Sequence, residues 1–211
     1  MKILGIVGSR RKKGNTAALV GSAMQAVKNE GIAAQTIYLD DYDIGGCLGC
    51  EACSQTRRCV VQDGMQPLYP LIMEADAIVM GSPTHFYNVS ASVCAFFERC
   101  YCLETFDATD RSVWVSPGEA LGGKYAVVIA VCEQADVADM GFTADAMRLP
   151  LESLGYRVVD TVKALKLFEK DAVLQSQESL TRAAAAGQKL ARTLLLRQNA
   201  QSLLKQFAKP E

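Results

Sequence analysis

The hydrophobic positions of this chain fall into short strand-like runs that alternate with helical patterns. Five runs are either continuously apolar or alternate in polarity, as β-strands do. They cover residues 2–9, 33–40, 76–83, 124–132 and 156–165. The sequence KYAVVIAVC, at residues 124–132, carries the clearest strand signal.

Helical patterns separate these runs. In residues 15–29, the apolar side chains of Leu19, Ala23 and Val27 share one helical face, and Gly31 follows as a stop signal. Further helical patterns cover residues 65–75, 88–102, 137–154 and 171–207. The last pattern is longer than the sheet needs, and we expect this helix to contact another subunit.

The alternation of strands and helices predicts a doubly wound α/β fold, with parallel strands and helices on both faces. No repeat or linker interrupts the pattern, so we expect residues 1–211 to form a single domain with a cysteine-rich loop at residues 45–60 and a long C-terminal helix. Such sheets bind ligands at the carboxyl ends of their strands. The loops after the first, third and fourth strands are therefore the candidate site.

Composition and charge exclude some classes of function. The 211 residues carry a formal net charge of -1, so no overall field predicts a nucleic-acid or anionic membrane partner. The first residues lack the features of an export signal, and the apolar run from Tyr125 is too short to cross a bilayer. We therefore expect a cytoplasmic protein, in which clustered cysteines bind metal or carry out redox chemistry more often than they form disulfides.

The loop after the first strand, GSRRKKGNT at residues 8–16, has features of a phosphate site. It matches neither G-x-G-x-x-G nor the P-loop pattern. It does place Ser9, Asn15 and Thr16 at a helix N-terminus, where free N–H groups attract an anion such as a phosphate monoester. The alternative is that these are turn and cap residues beside a solvated charge run, residues 10–13.

The loop after the third strand, GSPTHFYNVSA at residues 81–91, is suited to a planar heteroaromatic cofactor. Such a cofactor needs an apolar wall, backbone groups at its edge and a few orienting polar side chains. The candidate residues are Pro83, Thr84, His85, Phe86, Tyr87 and Asn88. His85 is the chain's only histidine, and it is either a proton donor or a residue that merely lines the pocket.

These two loops together resemble the flavodoxin-like NAD(P)H-dependent FMN reductases. The resemblance extends from Met1 to about Leu165 and implies a five-stranded sheet in the order 2-1-3-4-5. It implies FMN as cofactor and NAD(P)H as a candidate electron donor, and it assigns the FMN phosphate to Ser9, Arg11, Asn15 and Thr16 and the flavin ring to residues 83–88. Arg10 and His85 depart from the family, which often has proline and tyrosine at these positions.

Four cysteines, at Cys47, Cys50, Cys53 and Cys59, have the spacing C-x2-C-x2-C-x5-C. Structural zinc sites usually combine two separate knuckles, and this spacing does not provide them. Disulfides or free thiols are a second alternative. A loop with two-residue gaps and nearby glycines can also wrap a four-iron cluster, as the C-x2-C-x2-C run of bacterial ferredoxins does.

Within a chain that resembles an FMN reductase, this cysteine pattern is similar to that of the iron-sulfur flavoproteins. The resemblance implies a 4Fe-4S cluster with Cys47, Cys50, Cys53 and Cys59 as its ligands, and a homodimer or homotetramer. The predicted function is electron transfer between the cluster and FMN, with quinone, oxygen or peroxide as small-molecule acceptors and a ferredoxin-like protein as a candidate donor. The alternatives are an NAD(P)H-dependent FMN or quinone reductase without a cluster, and a zinc-bound, non-catalytic binding module.

The position of the cysteine loop suggests how a cluster is used. The loop leaves the sheet after the second strand, on the cofactor side but displaced sideways, so its cluster is expected to serve the flavin of a neighbouring subunit. The other cysteines, Cys94, Cys100, Cys102 and Cys132, are predicted to be small core residues.

Overall fold

The computed structural model of the chain describes residues 1–207. Within this range the strands are β1 (Lys2–Val7), β2 (Ala33–Tyr38), β3 (Ala77–Pro83), β4 (Thr105–Phe106), β5 (Trp114–Val115), β6 (Lys124–Val131) and β7 (Tyr156–Ala164). The five long strands pair in parallel in the order β2-β1-β3-β6-β7, and β4 and β5 form a small antiparallel hairpin. The predicted doubly wound sheet with the order 2-1-3-4-5 is thus confirmed.

Helices cover both faces of the sheet. They are α1 (Asn15–Asn29), α2 (Cys53–Thr56), α3 (Leu68–Glu74), α4 (Ala91–Cys100), α5 (Pro117–Ala120), α6 (Asp145–Ser153) and α7 (Gln177–Phe207). The strands alternate their side chains between two cores, so that Ile6 and Met80 meet α3, α4 and α6, whereas Val7 and Val79 meet α1 and α7. No helix among the described residues is long and apolar enough to span a membrane.

Helices α1 and α7 approach each other closely at Gly187. A Cβ atom at this position would lie only 2.1 Å from the carbonyl oxygen of Ala23 in α1. Glycine interrupts the Ala-rich pattern of α7 because only a residue without a side chain allows this contact. The contact fixes the first half of α7 against the domain, while Leu196, Leu203 and Leu204 in its second half are exposed.

The structure differs from the predicted elements in the region between β3 and β6. The small hairpin β4–β5 was not predicted, nor was the one-turn helix α5 within the glycine-containing segment 115–123. Ser116 and Glu119 form a reciprocal capping box that starts this helix. The helix predicted over residues 137–154 begins as a 3₁₀ turn, Val137–Met140, and becomes regular only at Asp145.

Helix α4 connects two distant parts of the fold. It begins beside the carboxyl end of β1, where the Ser90 hydroxyl donates to the carbonyl of Gly8 at 2.6 Å. It ends near the amino end of β7, where Cys100 lies close to Tyr156, the first residue of that strand. Burial, and to a smaller extent Cys100, raises the pKa of the Tyr156 hydroxyl. A ten-residue helix is about 15 Å long.

Candidate functional site

The loop between β1 and α1 presents an anion-binding surface. Gly14, the N-cap of α1, is extended, and no side chain among residues 1–207 caps the first turn, so backbone N–H groups there are free of protein partners within this range. Within the charge run, Arg10 and Lys12 pair with Asp40 and Asp41. Arg11, by contrast, pairs with no carboxylate in the described part of the chain. Its guanidinium has only a long hydrogen bond to the carbonyl of Phe168, at 3.5 Å. A cation without a carboxylate partner therefore lies beside a helix N-terminus, and this arrangement fits a phosphate group.

Asn15 has a structural task in addition to its position at the helix start. Its side-chain amide donates to the carbonyls of Leu167 and Glu169 at 3.0 and 2.7 Å, and its oxygen accepts the N–H of Val173 at 3.0 Å. These bonds tie α1 to the segment after β7. Only the backbone of Asn15 is left for a phosphate, whereas the side chain of Thr16 is buried and has no such bonds within residues 1–207.

The loop after β3 forms a strained turn that displays two aromatic rings. His85 and Asn88 exchange backbone hydrogen bonds at 2.7 and 3.1 Å, and Phe86 and Tyr87 between them have φ of 48° and 65°. These values are those of a type I′ turn, which glycine and asparagine normally occupy. Phe86 is 97% exposed and Tyr87 53%. Side chains held in this way against backbone preference often belong to ligand sites.

The two loops line one cavity of about 230 Å³. Its walls include most of the residues that the sequence assigned to a flavin site, namely Ser9, Arg11, Asn15, Thr16, Pro83, Thr84 and His85. Phe86, Tyr87 and Asn88 stand next to this cavity in the turn but do not line it. The volume is below the 300–1,000 Å³ usual for a complete ligand pocket. A cavity of this size can hold the phosphate and the sugar chain of a nucleotide. The ring system would then lie outside the cavity, beside the turn.

Sequence reasoning missed several residues of this cavity. Val131 and Glu133 come from the end of β6, and Leu167 and Phe168 from the segment after β7. The pattern pointed to the loop after β6 without naming residues, and gave no reason to examine the segment after β7. The hydrogen bonds of Asn15 explain why that segment closes the site.

The four cysteines line a second and larger cavity, of about 460 Å³. Gly49, Glu51 and Arg57 have positive φ, so the backbone coils tightly around this space. Burial raises the pKa of the Cys53 thiol, and the charges of the other three cysteines raise it further. The four sulfur atoms thus lie within electrostatic reach of one another.

The thiols do not converge on one point. Among the described residues, no three His, Cys, Asp or Glu side chains are close enough together to hold a single metal ion. A structural zinc ion needs four such ligands in a tetrahedron around it. In a four-iron cluster each cysteine binds a different iron, so its ligands surround a larger space.

The wall of the cysteine cavity also carries polar atoms that lack partners. Within residues 1–207, the buried side-chain nitrogen and oxygen atoms without a hydrogen bond are Arg99 Nε and Glu104 Oε2. Both residues line this cavity. Leaving a buried donor or acceptor unpaired costs about 1–3 kcal/mol. Four thiols together with an unused cationic donor fit an anionic iron-sulfur cluster.

One of the four cysteines predicted as core residues differs from that expectation. Cys94 is exposed on α4, whereas Cys100, Cys102 and Cys132 are buried as expected. Cys102 nevertheless lines the cysteine cavity, and its thiol donates to the carbonyl of Arg99 at 3.4 Å. It follows α4 in a 3₁₀ turn, Tyr101–Leu103, which rotates its side chain toward the cavity.

The two cavities lie at opposite ends of α4. The turn before Ser90 belongs to the first cavity, whereas Arg99, Cys100 and Cys102 line the second. The sequence led us to expect the cysteines on the cofactor side of the sheet. Instead the loop runs along α4, where the Cys47 N–H donates to Glu98 at 3.0 Å. The cysteine cavity lies near Leu154, which is close to the amino end of β7.

Comparison with curated proteins finds iron-sulfur flavoproteins among the relatives. One from Methanocaldococcus jannaschii is 38% identical over 99 residues, which are 47% of this chain and 51% of the relative. Another, from Archaeoglobus fulgidus, is 34% identical over 99 residues, or 47% of this chain and 45% of the relative. These alignments span only about half the length of each relative.

Solved structures and family comparison agree with the observed topology. A flavone reductase superimposes with a TM-score of 0.67 over 91% of this chain and 62% of that chain, at 18% identity, which is evidence for the fold. Residues 1–162, which include both cavities except for a few lining residues, match the family described as NADPH-dependent FMN reductase. The chain therefore belongs to the NADPH-dependent FMN reductase family.

Proposed function

We propose that this chain is an FMN-dependent oxidoreductase that exchanges electrons between a 4Fe-4S cluster and FMN. The observation that carries the proposal is the pair of cavities. One is lined by four cysteines and by an arginine with one unpaired N–H group among residues 1–207. The other is lined by an uncapped helix N-terminus and lies beside the turn that displays two aromatic rings. Membership of an FMN reductase family supports the FMN site. The names of the curated relatives support the cluster site.

The residues of the first cavity divide the work of holding FMN. The free N–H groups at the start of α1, the Ser9 hydroxyl and the Arg11 guanidinium bind the phosphate. Pro83 and Thr84 line the wall toward the turn, and the Thr84 hydroxyl is held by Thr143 at 3.0 Å. Phe86 and Tyr87 cover the ring and restrict the access of water.

Electron transfer uses the chemistry of the two groups when they are bound: a cluster passes single electrons, and a flavin accepts one or two. Cys47, Cys50, Cys53 and Cys59 hold the cluster. Because α4 separates the two cavities, we propose that the cysteine cavity of one subunit faces the flavin site of another in a homodimer or homotetramer. NAD(P)H or a ferredoxin-like protein supplies electrons, and a quinone, oxygen or peroxide accepts them.

Anaerobic purification followed by metal and flavin analysis tests the proposal. We expect about four irons, a matching amount of sulfide and one FMN per chain, with a broad absorption shoulder beside the flavin bands. The Cys50→Ser variant should lose iron and keep FMN. Flavin without iron would instead indicate a reductase without a cluster, and zinc without flavin would indicate a binding module.

A further inference from the structure

Arg99 is an arginine in the interior of the protein. It lies near the end of α4, is only 1% exposed and is among the largest fully buried side chains. Removing a guanidinium from water costs several kcal/mol unless its partners compensate. Its contacts therefore show what the charge is used for.

The terminal nitrogens of Arg99 hold both ends of the cysteine loop. Nη1 and Nη2 bind the two carboxylate oxygens of Asp63, at 2.5 and 3.1 Å. Nη1 also donates to the carbonyl of Gly45 at 3.1 Å, and Nη2 to that of Val61 at 3.3 Å. Gly45 precedes the first cysteine of the loop and Val61 follows the last. One guanidinium therefore joins the two ends of the segment that contains all four cysteines.

Asp63 strengthens this clamp from the other side. Its carboxylate accepts the N–H of Gly45 at 3.1 Å and that of Met65 at 3.0 Å. Burial opposes ionisation of this carboxyl, but the hydrogen bonds from Arg99 and from the backbone lower its pKa below the ordinary value. The pair is thus charged at neutral pH. The planar fork of arginine makes these contacts at once, which a single lysine ammonium does not.

The third nitrogen of Arg99 is not used by the clamp. Nε is buried and has no hydrogen-bond partner in residues 1–207, although Arg99 lines the cysteine cavity. A buried donor in the wall of the cysteine cavity, which no group among residues 1–207 satisfies, is available to the sulfur atoms of a bound cluster.

We propose that Arg99 is the positioning residue of the cluster site: its terminal nitrogens close the cysteine loop and its Nε donates to the sulfur ligands. This inference rests on the proposed function, because it assumes that the cavity holds the cluster. The positive charge of Arg99 also stabilises the reduced state of the cluster, which is more negative than the oxidised state. The spacing of the cysteines does not assign this role to a residue on α4.

Three variants and two kinds of measurement test the role. Arg99→Met removes the fork and the charge, Arg99→Lys keeps the charge but not the fork, and Arg182→Met is the matched control. Arg182 forms a similar two-pronged pair with Asp160, away from both cavities. Anaerobically reconstituted proteins are compared for iron, sulfide and FMN content, for iron release to a chelator and for the reduction potential of the cluster.

We expect Arg99→Met to release iron about tenfold faster than wild type, which corresponds to about 1.4 kcal/mol, and to have a more negative cluster potential. Arg99→Lys should also release iron faster but keep a potential near that of wild type. FMN content and the Arg182→Met control should be unchanged. Equal release rates and potentials in all four proteins would overturn the inference and leave the proposed function intact.

A second measurement uses the cluster-free protein and native cleavage sites. Trypsin cuts after Arg57 and Arg58, which lie inside the cysteine loop. If Arg99 closes the loop, Arg99→Met and Arg99→Lys should be cut there faster than wild type and the control, while FMN binding is retained. Unchanged cleavage would refute the clamp. If wild type takes up no iron and sulfide, the proposed function fails, and the cluster part of the inference fails with it.

Discussion

Replacing Glu104 with glutamine should stabilise the cluster-free protein at neutral and alkaline pH. Glu104 is 6% exposed, and its Oε2 has no hydrogen-bond partner among residues 1–207. Burial, with a smaller contribution from the charge of Glu119, raises the pKa of this carboxyl from 4.5 to about 7. The folded chain therefore holds a proton that the unfolded chain has already released.

The sign and size of the effect follow from this difference. Between pH 4.5 and about 7 the folded state binds more protons than the unfolded state, so stability falls as pH rises through this range and then levels off. At about 1.4 kcal/mol for each pH unit, the loss has an upper limit of about 3 kcal/mol. Glu104 lines the cysteine cavity, and solvent that enters this cavity would screen the carboxylate, so we expect about 1–3 kcal/mol. Glutamine has the same shape and no charge, and it avoids this loss.

Urea unfolding of the cluster-free protein at several pH values between 5 and 8 measures the effect. We expect Glu104→Gln to gain stability over wild type as pH rises, with little difference at pH 5. Glu178→Gln is the control because Glu178 is exposed in the first turn of α7. A stability difference that does not depend on pH would refute the reasoning, since the carboxyl would then not be held neutral by burial.

Three further predictions concern other parts of the fold. The ammonium of Lys124 donates to the carbonyls at the end of α3, at 2.6–3.0 Å, so Lys124→Met should lower the free energy of unfolding by about 1–3 kcal/mol in a urea titration. Asn15→Ala should free the segment after β7, with faster proteolysis there and weaker FMN binding in a fluorescence titration; unchanged proteolysis would contradict the structural role. Phe86→Gly should relieve the strain of the positive φ and raise the free energy of unfolding, measured by thermal denaturation, by up to about 1 kcal/mol. The same variant should bind FMN more weakly, and a lower free energy of unfolding would contradict the strain.

Much of the sheet could be predicted because its strands are buried on both faces. Continuous apolar runs such as residues 124–132 have no other common explanation in a chain of this size, and helical patterns between them require parallel pairing. The hairpin β4–β5 was missed because two-residue strands show no periodicity. It is held by the tilted contacts of Phe106 with Tyr101 and Trp114, which depend on the tertiary structure.

The candidate sites were predictable only where the residues are close in sequence. The cysteine spacing and the two loops are local patterns, and the structure brings each set to one cavity or beside it. The partners of Asn15, by contrast, lie more than 150 residues away along the chain. Cys102 faces the cysteine cavity because α4 tightens into a 3₁₀ turn, and hydrophobic periodicity does not reveal such a change of phase.

Arg99 shows why a charged residue can hide its role in a sequence pattern. In ASVCAFFERC the pair Glu98 and Arg99 looks like the polar face of an amphipathic helix, and polar faces are normally solvated. The structure instead buries Arg99, because the loop that covers this face brings its own carboxylate, Asp63, and two carbonyls. The loop and the arginine therefore depend on each other: without the loop the guanidinium would be solvated, and without the guanidinium the ends of the loop would lose their common partner. A substitution at Arg99 should thus disturb the cysteines although it changes none of them.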